Sequence, residues 1–294
     1  MDELMELTGL MPHPVDEWER MLRFVSLTKD DKSAMVTTVE ALLRAAPKLV
    51  EDTYNYLQSV PETAAVLGWE QGFDLAHLQE RRRFFTLWVA RTIGMDFGAD
   101  FAMYMFRAGR LHAGHGPRAI HVPETYVTGS IGLVQAAFAA AIASEAQDAT
   151  MVARALAGWA KYLSVQLNQM TMGYRAARAV DSGAIPVQFC VFGRLRPLVG
   201  RNEMTVRAGD GACVSEILRK FFDYAPQTRS EALDRVWREA VPSKPDSLWP
   251  EIVPVYLPKS NWRVLLNGRE LRYNGGLSVP IRAGDQVALF PPGR

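Results

Sequence analysis

Near residue 181 the hydrophobic pattern of this chain changes period, and the change divides it into two halves built on different principles. From residue 15 to about 180 the apolar residues keep a helical spacing. In "SAMVTTVEALLRAA", Met35, Val36, Val39, Leu42 and Leu43 recur at three and four, as one face of an amphipathic helix requires. Pro47 is expected to open the next helix, "PKLVEDTYNYLQSV", because a first-turn proline gives up no intrahelical bond. Further helices are expected over 74–93, 97–112, 122–144 and 148–179, and no alternating pattern persists before residue 180. This half reads as all-α.

After "DSGAIP" (181–186) the period shortens to two. "VQFCVFG" and "EMTVRAG" alternate and carry β-branched and aromatic residues, so both read as strands. "CVSEILRKFF" returns to helical spacing, with Val214, Ile217, Leu218 and Phe221 on one face. "WRVLLNGREL" places an Asn267-Gly268 turn between two strands, and "GLSVPIRAGDQVALFPP" closes the pattern. Two domains follow: an all-α domain over 1–182, and a small α+β roll over 186–294 with an insertion at 225–260. The proline-rich insertion is expected to carry a short helix at 230–240.

A chain of 294 residues accommodates two domains of roughly 150 residues each. Its formal charge of +1 gives no overall bias toward nucleic acid or an anionic membrane surface. The apolar run "IGLVQAAFAAAIAS" (131–144) is shorter than the roughly 20 residues a membrane span needs, so it is expected to pack within the bundle. The acidic start "MDELMELTGLMPHP" does not read as a secretory signal. Cys190 and Cys213, the two cysteines, form neither a disulfide framework nor a zinc pattern. A cytoplasmic protein is the expectation.

The chemistry concentrates in "FRAGRLHAGHG" (106–116), where His112 and His115 stand three apart near a helix end marked by Gly114 and Gly116. Three readings are open: hydrogen-bonded core or surface histidines, a divalent metal site with His121 as a third ligand, or a haem ligand. Structural zinc wants four ligands and catalytic zinc three with water, and no paired Cys or HExxH pattern accompanies these histidines. Haem iron asks for one strong axial ligand in an apolar pocket.

The run "FRAGRLHAGHGPRAIHVPETYVTGSIGLV" (106–134) resembles the proximal segment of globin-coupled sensors and protoglobins, with Gly109, His112, Pro123 and Tyr126 in the family's order. "LVEDTYNYLQSVPETAAVLG" (49–68) resembles the family's second core helix, and Tyr54 matches its distal tyrosine, with Thr53 where phenylalanine is common. The resemblance covers about residues 15–180 and implies a globin fold holding haem b, with His112 as the iron ligand. It implies a diatomic gas (O2, NO or CO) as the small-molecule partner, with the Tyr54 hydroxyl donating to a ligand that carries partial negative charge. "LQERRRFFTLWVARTIG" (78–94) resembles the helix crossing the distal face, which makes Arg82, Phe85 and Thr86 candidate pocket residues beside Tyr126. Arg110, Arg118 and His121 are candidates for the haem propionates, and pairing through the long helices would make a homodimer.

Residues 187–294 resemble the ubiquitin-like β-grasp sulfur carriers that include the small subunit of molybdopterin synthase and the thiamin sulfur carrier. The matching stretches are "VQFCVFGRLRPLVG", "EMTVRAGDGACVSEILRKF" and "VLLNGRELRYNGGLSVPIRAGDQVALFPP". Those carriers act through a Gly-Gly tail, whereas this sequence reads "FPPGR", with Gly293 followed by Arg294. The expectation is therefore a haem-binding gas sensor, not a catalyst, whose β-grasp module contacts an unidentified protein partner. The alternatives are a globin-regulated sulfur carrier needing tail processing, and a haem-dependent enzyme acting on NO or O2.

Overall fold

The computed structural model describes residues 3–145, 148–239 and 252–291. The chain forms two compact units, Pro14–Arg175 and a second made of Met1–His13 with Ala176–Arg294.

The first unit is helical throughout. Its elements are α1 (Pro14–Phe24), α2 (Lys29–Val36), α3 (Val39–Ser59), α4 (Pro61–Leu67), α5 (Leu75–Ile93), α6 (Ala99–His112), α7 (Glu124–Ala143) and α8 (Ala149–Val180). Local signals start them. Thr28 and Asp31 form a reciprocal capping box on α2, and the Asp74 carboxylate accepts from the His77 N–H at the start of α5. Gly68 ends α4 in the left-handed region, with φ of 71°.

Two sequence expectations need correction. Pro47 does not open a helix; it lies inside α3. Pro47 and Leu43 are both exposed, so water can reach the Leu43 carbonyl that loses its helical donor. The face proposed for 35–43 is also interrupted, because the helix breaks between Val36 and Val39. Met35 and Leu42 are buried, while Val36 and Leu43 stay about half exposed, at 55% and 51%.

The core of this unit is aromatic. Trp18, Phe101, Trp159 and Tyr162 are fully buried, and Phe138 packs edge-on against Trp159 at 5.4 Å between ring centroids. Polar edges of these rings are satisfied inside. Trp159 Nε1 donates to Thr38 Oγ1 at 2.9 Å, and Trp88 Nε1 donates to Gln166 Oε1 at 2.7 Å.

Helix α7 buries Val127, Ile131, Val134, Phe138 and Ile142, a stripe at helical spacing. The apolar run read from sequence is its C-terminal part. The whole helix is long and apolar enough, by length and composition, to cross a membrane, with mean hydropathy 1.5 over its apolar window and 28% of that window buried.

The second unit contains β1 (Ile185–Val191), α9 (Leu195–Val199), β2 (Glu203–Ala208), α10 (Val214–Tyr224), α11 (Arg229–Ala232), β3 (Leu233–Glu239), β4 (Ile252–Pro258), β5 (Arg263–Leu266), β6 (Arg269–Glu270) and β7 (Gln286–Phe290). Five strands make one mixed sheet in the order β2-β1-β7-β5-β6. The first and last strands, β1 and β7, lie parallel at its centre, and β1 pairs antiparallel with β2. Asn267 and Gly268, at φ of 51° and 79°, form the tight turn between β5 and β6. Helix α10 buries Ile217, Leu218 and Phe221, and Phe221 stacks on Phe189 of β1 at 4.1 Å. A helix packed on such a sheet is the ubiquitin-like β-grasp arrangement.

The expected helix at 230–240 is a correction as well. Among the described residues of that stretch only Arg229–Ala232 is helical, and Leu233–Glu239 pairs antiparallel with β4 as a separate two-stranded sheet. The alternating charged and bulky residues of "DRVWRE" suit a strand exposed on both faces. Residues 240–251 of the insertion, and 292–294 of the tail, lie outside the described residues.

Residues 3–13 were expected with the helical half, but they pack on this unit. Leu7 exchanges both backbone hydrogen bonds with Tyr256, at 2.8 and 2.9 Å. Met11 is clamped by the N–H donated to Asp223 at 2.9 Å and the carbonyl accepting from Arg229 at 2.7 Å.

A candidate cofactor cavity in the helical unit

Residues of α3, α4, α5, α6, α7 and α8 enclose a cavity of about 480 Å³. That lies within the roughly 300–1,000 Å³ span of small-molecule and cofactor sites. Its walls are mainly apolar, from Leu57, Phe84, Phe85, Trp88, Met105, Ile131 and Val134. His112, Tyr54, Phe85 and Tyr126, drawn from four different helices, all line it.

His112 is the last residue of α6. Its Nδ1 lies 2.7 Å from the carbonyl oxygen of Ala108, one turn earlier. A carbonyl only accepts, so Nδ1 carries the proton and Nε2 keeps its lone pair. Burial holds the imidazole pKa below its ordinary value, and the positive charge of Arg81 adds to that, while the Ala108 carbonyl pulls the other way. A neutral imidazole with Nδ1–H bound to a backbone carbonyl is the form a metal-ligating histidine takes.

The Gly109 of the Gly-x-x-His motif has a packing cause. A Cβ there would fall on the carbonyl of Met170, and one at Gly173 would fall on the carbonyl of Phe106. The two glycines let the backbones of α6 and α8 touch one turn before His112.

The loop after His112 is closed by an antiparallel bridge between Ala113 and His121, and by Val122 N–H donating to the His112 carbonyl at 2.8 Å. Gly114, at φ of 100°, and Ala119, at φ of 50°, are the positive-φ residues of this turn; Gly116 does not adopt a positive φ.

Tyr54 is buried in α3, with its ring against Phe85 at 5.9 Å and Trp69 at 6.1 Å. Burial pushes its pKa well above the ordinary phenol value, so the hydroxyl keeps its proton. That proton is donated to the backbone carbonyl of Arg81 at 2.9 Å. A donor role toward a cavity ligand would therefore require an exchange of partners.

The sequence left the register of α5 open, with Arg82, Phe85 and Thr86 as candidates. Phe85 lines the cavity together with Arg81, Phe84 and Trp88, whereas Arg82 and Thr86 do not. The 81-84-85-88 spacing is one helix face, and anchoring it on Phe85 would have found the others. Sequence reasoning also missed Tyr104 and Arg107 of α6.

Of the propionate candidates, Arg110 lines the cavity. Arg118 instead pairs with Glu80 at 2.8 Å and Asp74 at 3.7 Å, and His121 Nε2 lies 2.7 Å from the Tyr174 hydroxyl. Among the described residues no three His, Cys, Asp or Glu side chains are grouped to hold a metal ion, so His112, His115 and His121 do not form the divalent site considered above.

The donor set suits haem: one neutral imidazole, apolar and aromatic walls, and arginines at the cavity wall able to receive carboxylates.

The chain is similar to the globin domain of a Geobacter sulfurreducens globin-coupled sensor, at 18% identity and a TM-score of 0.45, over 53% of this chain and 97% of that one. It is also similar to small archaeal modifier protein 1 from Methanosarcina acetivorans, at 20% identity and a TM-score of 0.27, covering 38% of this chain and 96% of the other. A putative molybdopterin converting factor subunit 1 from Pyrococcus furiosus matches at 20% identity and a TM-score of 0.25, over 37% and 100% of the respective chains. No curated protein matches the sequence. The Protoglobin family model matches residues 15–179, more than half of the chain, and the chain belongs to that family.

Proposed function

We propose that the helical unit holds haem b on Nε2 of His112 and binds a diatomic gas there. Haem, when bound, supplies an iron centre able to take O2, NO or CO. The observation that carries this reading is the bond from His112 Nδ1 to the Ala108 carbonyl, which fixes the neutral tautomer in the wall of an apolar cavity. The bond sets the ring's rotation and leaves Nε2 as the coordinating atom.

The remaining residues shape the site. Phe85 and Trp88, stacked at 5.3 Å, form a flat aromatic wall of the cavity. Tyr54 keeps its proton and can turn it from the Arg81 carbonyl to a ligand bearing partial negative charge. A change at His112 is felt by α8, because α6 and α8 touch at Gly109 and Gly173. A ligand shifts that contact only if it binds one arrangement better than another. The β-grasp unit acts as the module that contacts a protein partner.

The test is the visible spectrum of the full chain reconstituted with haem and reduced, beside His112→Ala. A histidine-ligated ferrous spectrum that is lost or altered in the variant is expected. A wild-type chain that takes up no haem, or a variant with an unchanged spectrum, overturns the assignment. Tyr54→Phe is expected to speed O2 release about tenfold, while CO release changes little; stopped-flow dissociation rates check this.

A further inference from the structure

Arg81 enters the cavity wall from α5, on the helix face that carries Phe85 and Trp88. Its backbone carbonyl holds the Tyr54 hydroxyl, so its Cα is tied to the Tyr54 side of the site. Its side chain is tied as well: Nε donates to Nε2 of His77 at 2.9 Å. His77 is itself fixed, 2% exposed, with its ring 5.2 Å from that of Trp69 and its N–H capped by Asp74.

Glu80 feels the charge of Arg81, but no neighbouring carboxylate pairs with it directly. Glu80 and Asp74 are both engaged by Arg118, and Arg81 forms no ion pair among the described residues. Nε is spent on position, which leaves the two terminal nitrogens of a planar fork for something else. The other two arginines of the cavity, Arg107 and Arg110, stand on α6 with His112. The positive charge of Arg81 adds to the lowering of the His112 pKa and works against the larger upward push of burial on Tyr54, so its field reaches both groups.

A positioned, partly buried guanidinium with no direct ion pair at the wall of an apolar cavity gains from an incoming anion, because charge pairing is stronger there than in open water. We propose that Arg81, held in place by His77, makes this cavity select small anionic ligands over neutral ones. The selectivity extends to diatomic ligands that draw negative charge onto themselves when bound. This rests on the haem reading given above and names the class of ligand that site favours.

The experiment uses the full chain in its ferric haem-loaded form at neutral pH. Azide and fluoride serve as anionic probes and imidazole as the neutral one, each titrated by the visible spectrum. Arg81→Met is expected to weaken azide and fluoride about tenfold, with imidazole affinity within twofold of wild type. Arg81→Lys is expected to recover part of the anion affinity, because it keeps the charge without the fork. His77→Leu is expected to fall between wild type and Arg81→Met, since the charge remains but is no longer held.

Equal weakening of azide and imidazole, or no change in either, overturns the proposal. So does faster haem loss from Arg81→Met to a haem-scavenging apoglobin with anion affinities unchanged, which would assign Arg81 to a haem propionate. A wild-type chain that takes up no haem overturns the haem reading and this proposal with it. Haem uptake with unselective ligand binding overturns this proposal alone.

Discussion

His77 and His112 play different parts through one physical circumstance, an imidazole kept neutral by burial. Burial is the largest cause of the lowered pKa of each, with Arg81 adding to both and Arg118 to His77. Each folded-state pKa lies below the unfolded one, so the unfolded chain binds more protons between the two values. The penalty is absent above pH 6.5, grows as pH falls below it, and levels off beneath the folded pKa. The haem-free wild type is therefore expected to lose thermal stability from about pH 6.5 downward. A His77→Leu/His112→Leu double variant, likewise haem-free, should lose measurably less over that interval, as thermal melts of the two haem-free proteins at several pH values would show. Asp223, pushed up to about 6 by burial against the pull of Arg229, acts with the opposite sign in part of the same window. Comparing the two proteins cancels its contribution.

Among the helices, glycine divides into two kinds that no local rule separates. Gly109 and Gly173 sit where a Cβ would strike a backbone carbonyl of the facing helix, whereas Gly129 and Gly132 of α7 have open space around them. Gly109→Ala and Gly173→Ala are each expected to cost about 2–3 kcal/mol or more, because two helix backbones must separate. Gly129→Ala should instead stabilise the chain by about 0.5–1 kcal/mol through helix propensity. Urea denaturation of the three variants reads both signs. The motif Gly109-x-x-His112 was legible as a resemblance, but its cause was not, because the partner of Gly109 lies some sixty residues away in α8. The α5 register stayed open in the sequence for a related reason. In "RRRFFTLW" every third or fourth position offers a plausible face, and only the contacts of Arg81 and Phe85 with Tyr54 select 81-84-85-88.

At the scale of the molecule, the buried pair Arg229–Asp223, 2.7 Å apart, fastens residue 11 to the β-grasp unit. Arg229→Met should destabilise that unit by about 3 kcal/mol, because it leaves a buried carboxylate uncompensated. Adding Asp223→Leu should recover most of the loss, and chemical denaturation of the single and double variants checks both. What the amino-acid order determined alone was whatever a short window encodes. The switch of period at 181–186, the ends of α5 to α8 within a few residues, the Asn267-Gly268 turn and the candidates His112 and Tyr54 all belong to that class. Only the tertiary structure decided that residues 3–13 join the β-grasp unit, that 233–239 is a strand, and that Arg81 stands in the cavity wall. Periodicity and turn chemistry are properties of neighbours along the chain. A strand exposed on both faces, or a cavity-wall arginine whose carbonyl is held by a tyrosine on another helix, takes its place from partners that sequence distance hides.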